Sequence, residues 1–350
     1  MPQTNTVGLS RPAFLITVDT EGDNLWARPK QITTENAKYL PRFQTLCEKY
    51  GLKPTWLVNY ELAECPAFVQ FAKDVVQRGA GEIGMHLHAW NTPPLKPLTD
   101  DDMYHQPYLF EYPRAVMRDK ISFLTELLEE RFERKIKSHR AGRWGLNAVY
   151  ARLLVEHGYL VDCSVTPHVS WTAYLGNPNG AGGPDFRGFP ELPYFIDLKR
   201  IDRPGNSPLL EAPLSVIETR YAGLNRWLER APRLLRRISR RFFPPIFEMV
   251  PRDKKNNLPH MLLILHHAIE HRRPCVELAT HSSELMPGAS PFFPTADSIQ
   301  RLYDRLEILF STAVETFQGM TPSEFRQEWI NVRGEGRIAR SEGLWKPILS

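Results

Sequence analysis

A chain of 350 residues with 42% apolar and 24% charged content has the make-up of a globular protein, long enough to bury one large core or two modest ones. That composition excludes disorder and collagen-like repetition. The net charge of +4 is concentrated: residues 226–241 hold seven Arg and one Glu, a net +6, so the other 334 residues carry 37 basic against 39 acidic groups. The opening MPQTNTVGLSRPAF lacks the basic and apolar regions of a signal peptide, and no uncharged apolar run reaches roughly eighteen residues. A cytoplasmic protein is therefore expected. Cys47, Cys65, Cys163 and Cys275 show no CxxC spacing and read as small buried hydrophobes rather than a zinc ribbon, redox pair or disulfide framework.

Short apolar runs alternate with segments at helical spacing. FLITVD (14–19) is a continuous apolar run ending in a carboxylate, the pattern of a strand buried on both faces. Further strands are expected at 54–60, 81–88, 137–142, 160–165, 209–215 and 275–282. The clearest helix carries Ile299, Leu302, Tyr303, Leu306, Leu309 and Phe310 at i, i+3, i+4 and i+7, with Thr295 or Asp297 as its cap. About seven strand–helix units without an internal break predict a single α/β domain over 10–320, closed or nearly closed into a barrel. A basic helical insertion at 216–258 and a tail at 321–350 complete the division. Ten of the thirty prolines gather in two long connections, Ala89–Pro113 and Thr166–Pro193. Both follow expected strands, where parallel α/β proteins build their active-site face.

Four strand ends carry residues capable of chemistry. TVDTEGD places Asp19, Glu21 and Asp23 at alternate positions, so Asp19 and Glu21 can face one pocket. GEIGMHLHAW gives His86 and His88 the same spacing beside Trp90, and two imidazoles on one strand face can reach one metal ion. KSHRAGRWG supplies Arg140, Arg143 and Trp144 among glycines that permit a sharp turn. LATHSSELMPG supplies His281 after an apolar run. An Arg beside a carboxylate keeps it ionised, and a His across the site can act as general acid.

In that order the motifs resemble those of the polysaccharide deacetylases of the NodB-homology group (carbohydrate esterase family 4), most closely its divergent WalW-like branch. TVDTEGD stands at the family's first Asp motif, GEIGMHLH at its His motif, SHRAGRWG at its Arg motif, VDCSV at its fourth and LATHSSE at its last His motif. The resemblance implies a distorted (β/α)7 barrel and a divalent metal, often zinc. The implied activity is hydrolytic removal of N-acetyl groups from a sugar, glycan or lipid- or nucleotide-linked sugar, in cell-surface polysaccharide or lipopolysaccharide biosynthesis. Carried over residue by residue, it makes Asp19 the general base, Arg140 its holder and His281 the acid that protonates the leaving amine, with Asp162 orienting His281. The family has adjacent aspartates where Thr20 follows Asp19, so Glu21 is the expected carboxylate ligand and Asp23 its reserve. Trp90 stands where the family has its second histidine, leaving His88 to join His86. Trp90, Arg143 and Trp144 are expected to support substrate binding.

Two other readings stand beside this one. HAIEH fits H-x-x-E-H, with His267 and His271 on one helical face and Glu270 between them, the inverzincin protease pattern. Alternatively the barrel binds carbohydrate without metal or catalysis. The basic segment interleaves Trp227, Leu228, Leu234, Leu235, Ile238 and Phe242 with arginines. It reads as a solvated amphipathic helix packed on the barrel or, over 226–243, as a contact for an anionic membrane surface or a diphosphate-linked sugar. No nucleic-acid-binding motif accompanies it.

Overall fold

The eight residues of strand β1 (Ala13–Thr20) are all buried, as the apolar run demands, because parallel neighbours lie on both sides. β11 (Cys275–His281) and β2 (Pro54–Val58) flank it, and β3 (Glu82–Leu87), β4 (Ser138–Ala141), β5 (Val161–Asp162) and β8 (Leu210–Glu211) follow. These seven strands occupy the seven expected segments and pair in parallel. The computed structural model describes residues 10–27, 29–175, 182–253 and 256–333.

Beyond β8 the sheet continues antiparallel into β6 (Tyr194–Asp197) and then β7 (Arg200–Pro204). Strand pairing among the described residues therefore leaves β8 and β11 unjoined, and the sheet is a curled, partly open barrel. Ser215 spans the gap locally, its backbone N–H reaching the Glu277 carbonyl at 3.3 Å and its hydroxyl accepting from the Glu277 N–H at 2.9 Å. Short β9 (Val216–Glu218) and β10 (Ile246–Glu248) pair with each other, and β12 (Gln318–Gly319) adds to the start of β1.

The longer helices are α1 (Leu40–Lys49), α2 (Pro66–Gln77), α3 (Arg114–Phe132), α4 (Ala148–Glu156), α5 (Arg233–Phe242), α6 (Leu258–Glu270), α7 (Ala296–Thr316) and α8 (Pro322–Arg333). The apolar stripe of α7 is buried, with Phe310 packed edge-on to Phe14 of β1. Its cap is Thr295, whose hydroxyl accepts from the Ser298 N–H at 3.1 Å. The packed body extends beyond residue 320: Phe325 and Ile330 of α8 are buried with Ala13, Leu15 and Val161, and Arg326 donates to the Pro208 carbonyl at 2.9 Å. Residues 334–350 of the expected tail lie outside the described residues. Among the described residues no helix is long and apolar enough to cross a membrane.

Candidate active site

Register brings the motifs together. Asp19 at the end of β1 stands opposite His281 at the end of β11, and His86 on β3 stands opposite Arg140 on β4. Glu21 leaves β1 two residues further on, and His88 leaves β3. These side chains share the carboxyl end of the parallel sheet and border a cavity of about 530 Å³, the usual place for chemistry in parallel α/β architectures; Arg140 lies beneath it.

Arg140 is fully buried, so its charge requires compensation. One guanidinium nitrogen donates to Asp19 Oδ1 at 2.7 Å, the other to Glu277 and to Thr17 Oγ1, and Nε donates to the Cys163 carbonyl at 2.8 Å. Two carboxylates thus face one cation. Burial alone would raise both, but Arg140, with His86 and His281, holds Asp19 below the usual carboxylate range, whereas burial prevails at Glu277 and raises it. The other oxygen of Asp19, Oδ2, lies 3.7 Å from His281 Nε2.

Glu21, His86 and His88 form the only group of three potential metal ligands with converging donor atoms among the described residues. His86 Nδ1 must donate to the Arg140 carbonyl oxygen, 3.1 Å away, because a carbonyl only accepts. That tautomer leaves Nε2 with its lone pair directed at the site. His88 Nε2 lies 3.0 Å from His86 Nε2, and Glu21 Oε2 lies 3.2 Å from His88 and 3.7 Å from His86. Ligands about 2.0–2.1 Å from a tetrahedral zinc stand roughly 3.3 Å apart, so these three edges fit one small divalent cation. Burial lowers His88 against the pull of Glu21, keeping it neutral as a ligand must be. Glu21 is held well below the usual carboxylate range, where the two histidines overcome burial. Gly142 makes room: a Cβ there would sit 2.5 Å from His88 Cδ2 and from the Leu87 carbonyl oxygen.

His281 completes the opposite wall. Burial would lower its pKa, but Glu284, facing Nδ1 at 3.7 Å, together with Glu21 and Asp19, pushes it up to about 9. It is an imidazolium at neutral pH. Trp26 meets its ring edge-on and is tied by Nε1 to Ser283 Oγ at 3.1 Å. Aromatic faces continue around the cleft: Trp90 stacks on His88 with centroids 4.4 Å apart, and Trp144 lies parallel to Trp171 at 6.3 Å. Arg143 and Trp144 both adopt left-handed backbone conformations, with φ of 54° and 60°. Such strain is held in place only by surrounding contacts; the Arg140 guanidinium sits 4.8 Å from the Trp144 ring centroid.

Two expected roles are corrected by geometry. Asp162 does not reach His281; it sits on β5, 2.5 Å from His139 Nδ1 and 2.9 Å from the Ser164 hydroxyl, and Glu284 takes the place beside His281. Asp23 is turned away from the ligand group, accepting from Thr33 and from the Asn36 N–H at 3.1 Å. His267 of α6 stacks with His271 just past the helix end, ring centroids 3.9 Å apart, and Glu270 is exposed; no third ligand converges on them among the described residues. Residues overlooked in the sequence are Glu277, Thr17, Glu284 and Glu61. Glu277 had a signal, a lone carboxylate inside the apolar run CVELATH, which a buried strand tolerates only with a partner. Glu61 lies near Glu21 and is pushed up to about 7 by burial, with Glu21 adding to the rise.

No protein-family model matches the sequence, and no curated protein is similar to it in sequence. Solved structures share its fold. A candidate glycoside hydrolase/deacetylase from Parabacteroides distasonis matches with a TM-score of 0.56 at 12% identity, over 93% of this chain and 73% of that one. A candidate polysaccharide deacetylase from Mycobacterium smegmatis matches with a TM-score of 0.50 at 13% identity, over 96% of each chain. At these identities the likeness is one of fold. The same architecture carries other chemistry: the 4-alpha-glucanotransferase from Thermococcus litoralis matches with a TM-score of 0.51 at 14% identity, over 91% of this chain and 40% of that one. Function must therefore be argued from the site.

Proposed function

We propose that this protein is a metal-dependent hydrolase of the polysaccharide-deacetylase type, WalW-like in its altered His motif, that removes the N-acetyl group of a sugar. The observation that carries this reading is the convergence of a three-ligand group, an ionised Asp19 and a protonated His281 on one aromatic-walled cleft. Glu21, His86 and His88 would hold the divalent ion, for which the His₂Glu set suits zinc. When bound, such an ion polarises a carbonyl and makes water more acidic.

The chain's own groups supply the rest. Asp19 takes a proton from the attacking water as the new C–O bond forms, and Arg140 keeps that carboxylate ionised and oriented. The amide nitrogen is a poor leaving group until protonated; His281 gives its proton to that nitrogen as the C–N bond breaks, releasing the free amine and acetic acid, which ionises to acetate by losing its proton to solvent. Afterwards Asp19 bears one added proton and His281 has lost one, and exchange with solvent restores both. Trp90, Trp144 and Trp171 line the cleft with aromatic surface suited to the C–H faces of pyranose rings. Acetate release from N-acetylated oligosaccharides and nucleotide sugars tests the reading: turnover should be lost on chelation, return with divalent metal and fall about 10³-fold in Asp19→Asn. Full turnover in both Asp19→Asn and His281→Ala would refute it.

A further inference from the structure

The basic segment does not pack as a surface helix should. At 100° per residue, Leu234, Leu235, Ile238 and Phe242 of α5 occupy one arc of the helix, and the positions of Arg233, Arg236, Arg237, Arg240 and Arg241 fill the rest apart from Ser239. A helix on a globular protein turns its apolar arc to the core. Here that arc faces solvent: Leu234 is 68% exposed, Leu235 51%, Ile238 45% and Phe242 66%. Ser239 is the buried edge, its hydroxyl 3.3 Å from Asn225 Oδ1 of the preceding short helix, Ala222–Trp227. Trp227, in that short helix, is 79% exposed. Seven of the eighteen exposed large apolar side chains among the described residues fall between Leu224 and Phe243. The expectation that this helix packs on the barrel is overturned by these exposures.

We infer that residues 222–243 dock this protein onto a lipid bilayer bearing anionic headgroups. The argument is charge complementarity joined to exposed apolar area: the segment from 226 to 241 carries seven Arg against one Glu, beside side chains that water solvates poorly. An anionic bilayer satisfies both, since phosphates pair with guanidinium groups while the upper acyl region takes Leu, Ile, Phe and Trp. The surface lies next to the cleft. A cavity of about 1150 Å³ whose wall includes Asn225 and Arg226 shares Trp171, Tyr174 and Glu248 with the active-site cleft, so a docked α5 holds that flank near the headgroups. The inference does not rest on the hydrolytic reading.

Vesicle flotation tests it with the full chain. Vesicles of one part phosphatidylglycerol to two parts phosphatidylcholine should carry the protein, and pure phosphatidylcholine vesicles should carry far less. The triple variant Trp227→Ala, Leu234→Ala, Leu235→Ala should bind at least about tenfold more weakly with an unchanged melting temperature, as should Arg236→Glu with Arg237→Glu. Absence of wild-type binding, or binding unchanged in both variants, would overturn the inference. So would a concentration-dependent dimer in solution that the triple variant dissolves, which would assign the face to a second copy of this chain.

Discussion

Arg140 and Leu234 mark opposite departures from the usual partition of residues between interior and surface. Arg140 is fully buried, and four groups answer its charge and its donors. Leu234 is 68% exposed at one edge of an exposed apolar arc. At the end of the sheet, the desolvation cost of Arg140 is offset by pairing within the fold. Along α5, apolar surface is left for something outside the chain to cover. A natural sequence that violates a packing rule locally tends to do so where it functions, and these two regions do so in opposite senses.

The contrast can be broken most forcefully at the catalytic end. Asp19→Asn should lower acetate release about 10³-fold, the usual scale for a lost acid–base group, while circular dichroism and melting temperature stay near wild type. Arg140→Met should cost about 3–5 kcal/mol in a denaturant titration, because Asp19 and Glu277 then share a buried site with no cation. An unchanged unfolding midpoint would show that the network is not what compensates those charges.

A smaller effect follows from His281. Its pKa in the folded chain, about 9, lies above the ordinary 6.5, so the folded state binds the proton more tightly than the unfolded state. The resulting stability is complete below about pH 6.5 and is lost as pH rises through about 9. Metal-free protein should therefore lose on the order of 1–3 kcal/mol across that window, and His281→Gln should flatten the slope. The smallest effect belongs to α5. Leu234→Ala should change stability by no more than about 0.5 kcal/mol, whereas Leu278→Ala in β11 should cost about 2–5 kcal/mol. A large loss at Leu234 would mean that the helix is packed after all.

The parallel strands were legible because burial on both faces writes itself as an uninterrupted apolar run, as in FLITVD and CVELATH. The β6–β7 hairpin was not. Arg200–Pro204 is largely exposed and charged, so no run marks it, and its presence is why the sheet continues instead of closing. Among site residues, strand-end positions could be read from alternation, which brings Asp19 with Glu21 and His86 with His88 onto shared faces. Partner choice could not. Asp162 and Glu284 are both carboxylates near strand ends, and only the register of β4 against β5 gives His139 to the first while the turn after β11 gives His281 to the second. The amphipathic period of α5 was plain in sequence, but period alone does not say whether the apolar arc faces inward or outward.

The central claim is that Glu21, His86 and His88 are a metal site. Counting divalent ions per chain by elemental analysis, in wild type and in Glu21→Gln, tests it directly. One tightly held ion per wild-type chain, lost in Glu21→Gln with the fold intact, is the expected result; a wild type that holds no ion at saturating zinc, or a variant that holds it equally well, would contradict the claim.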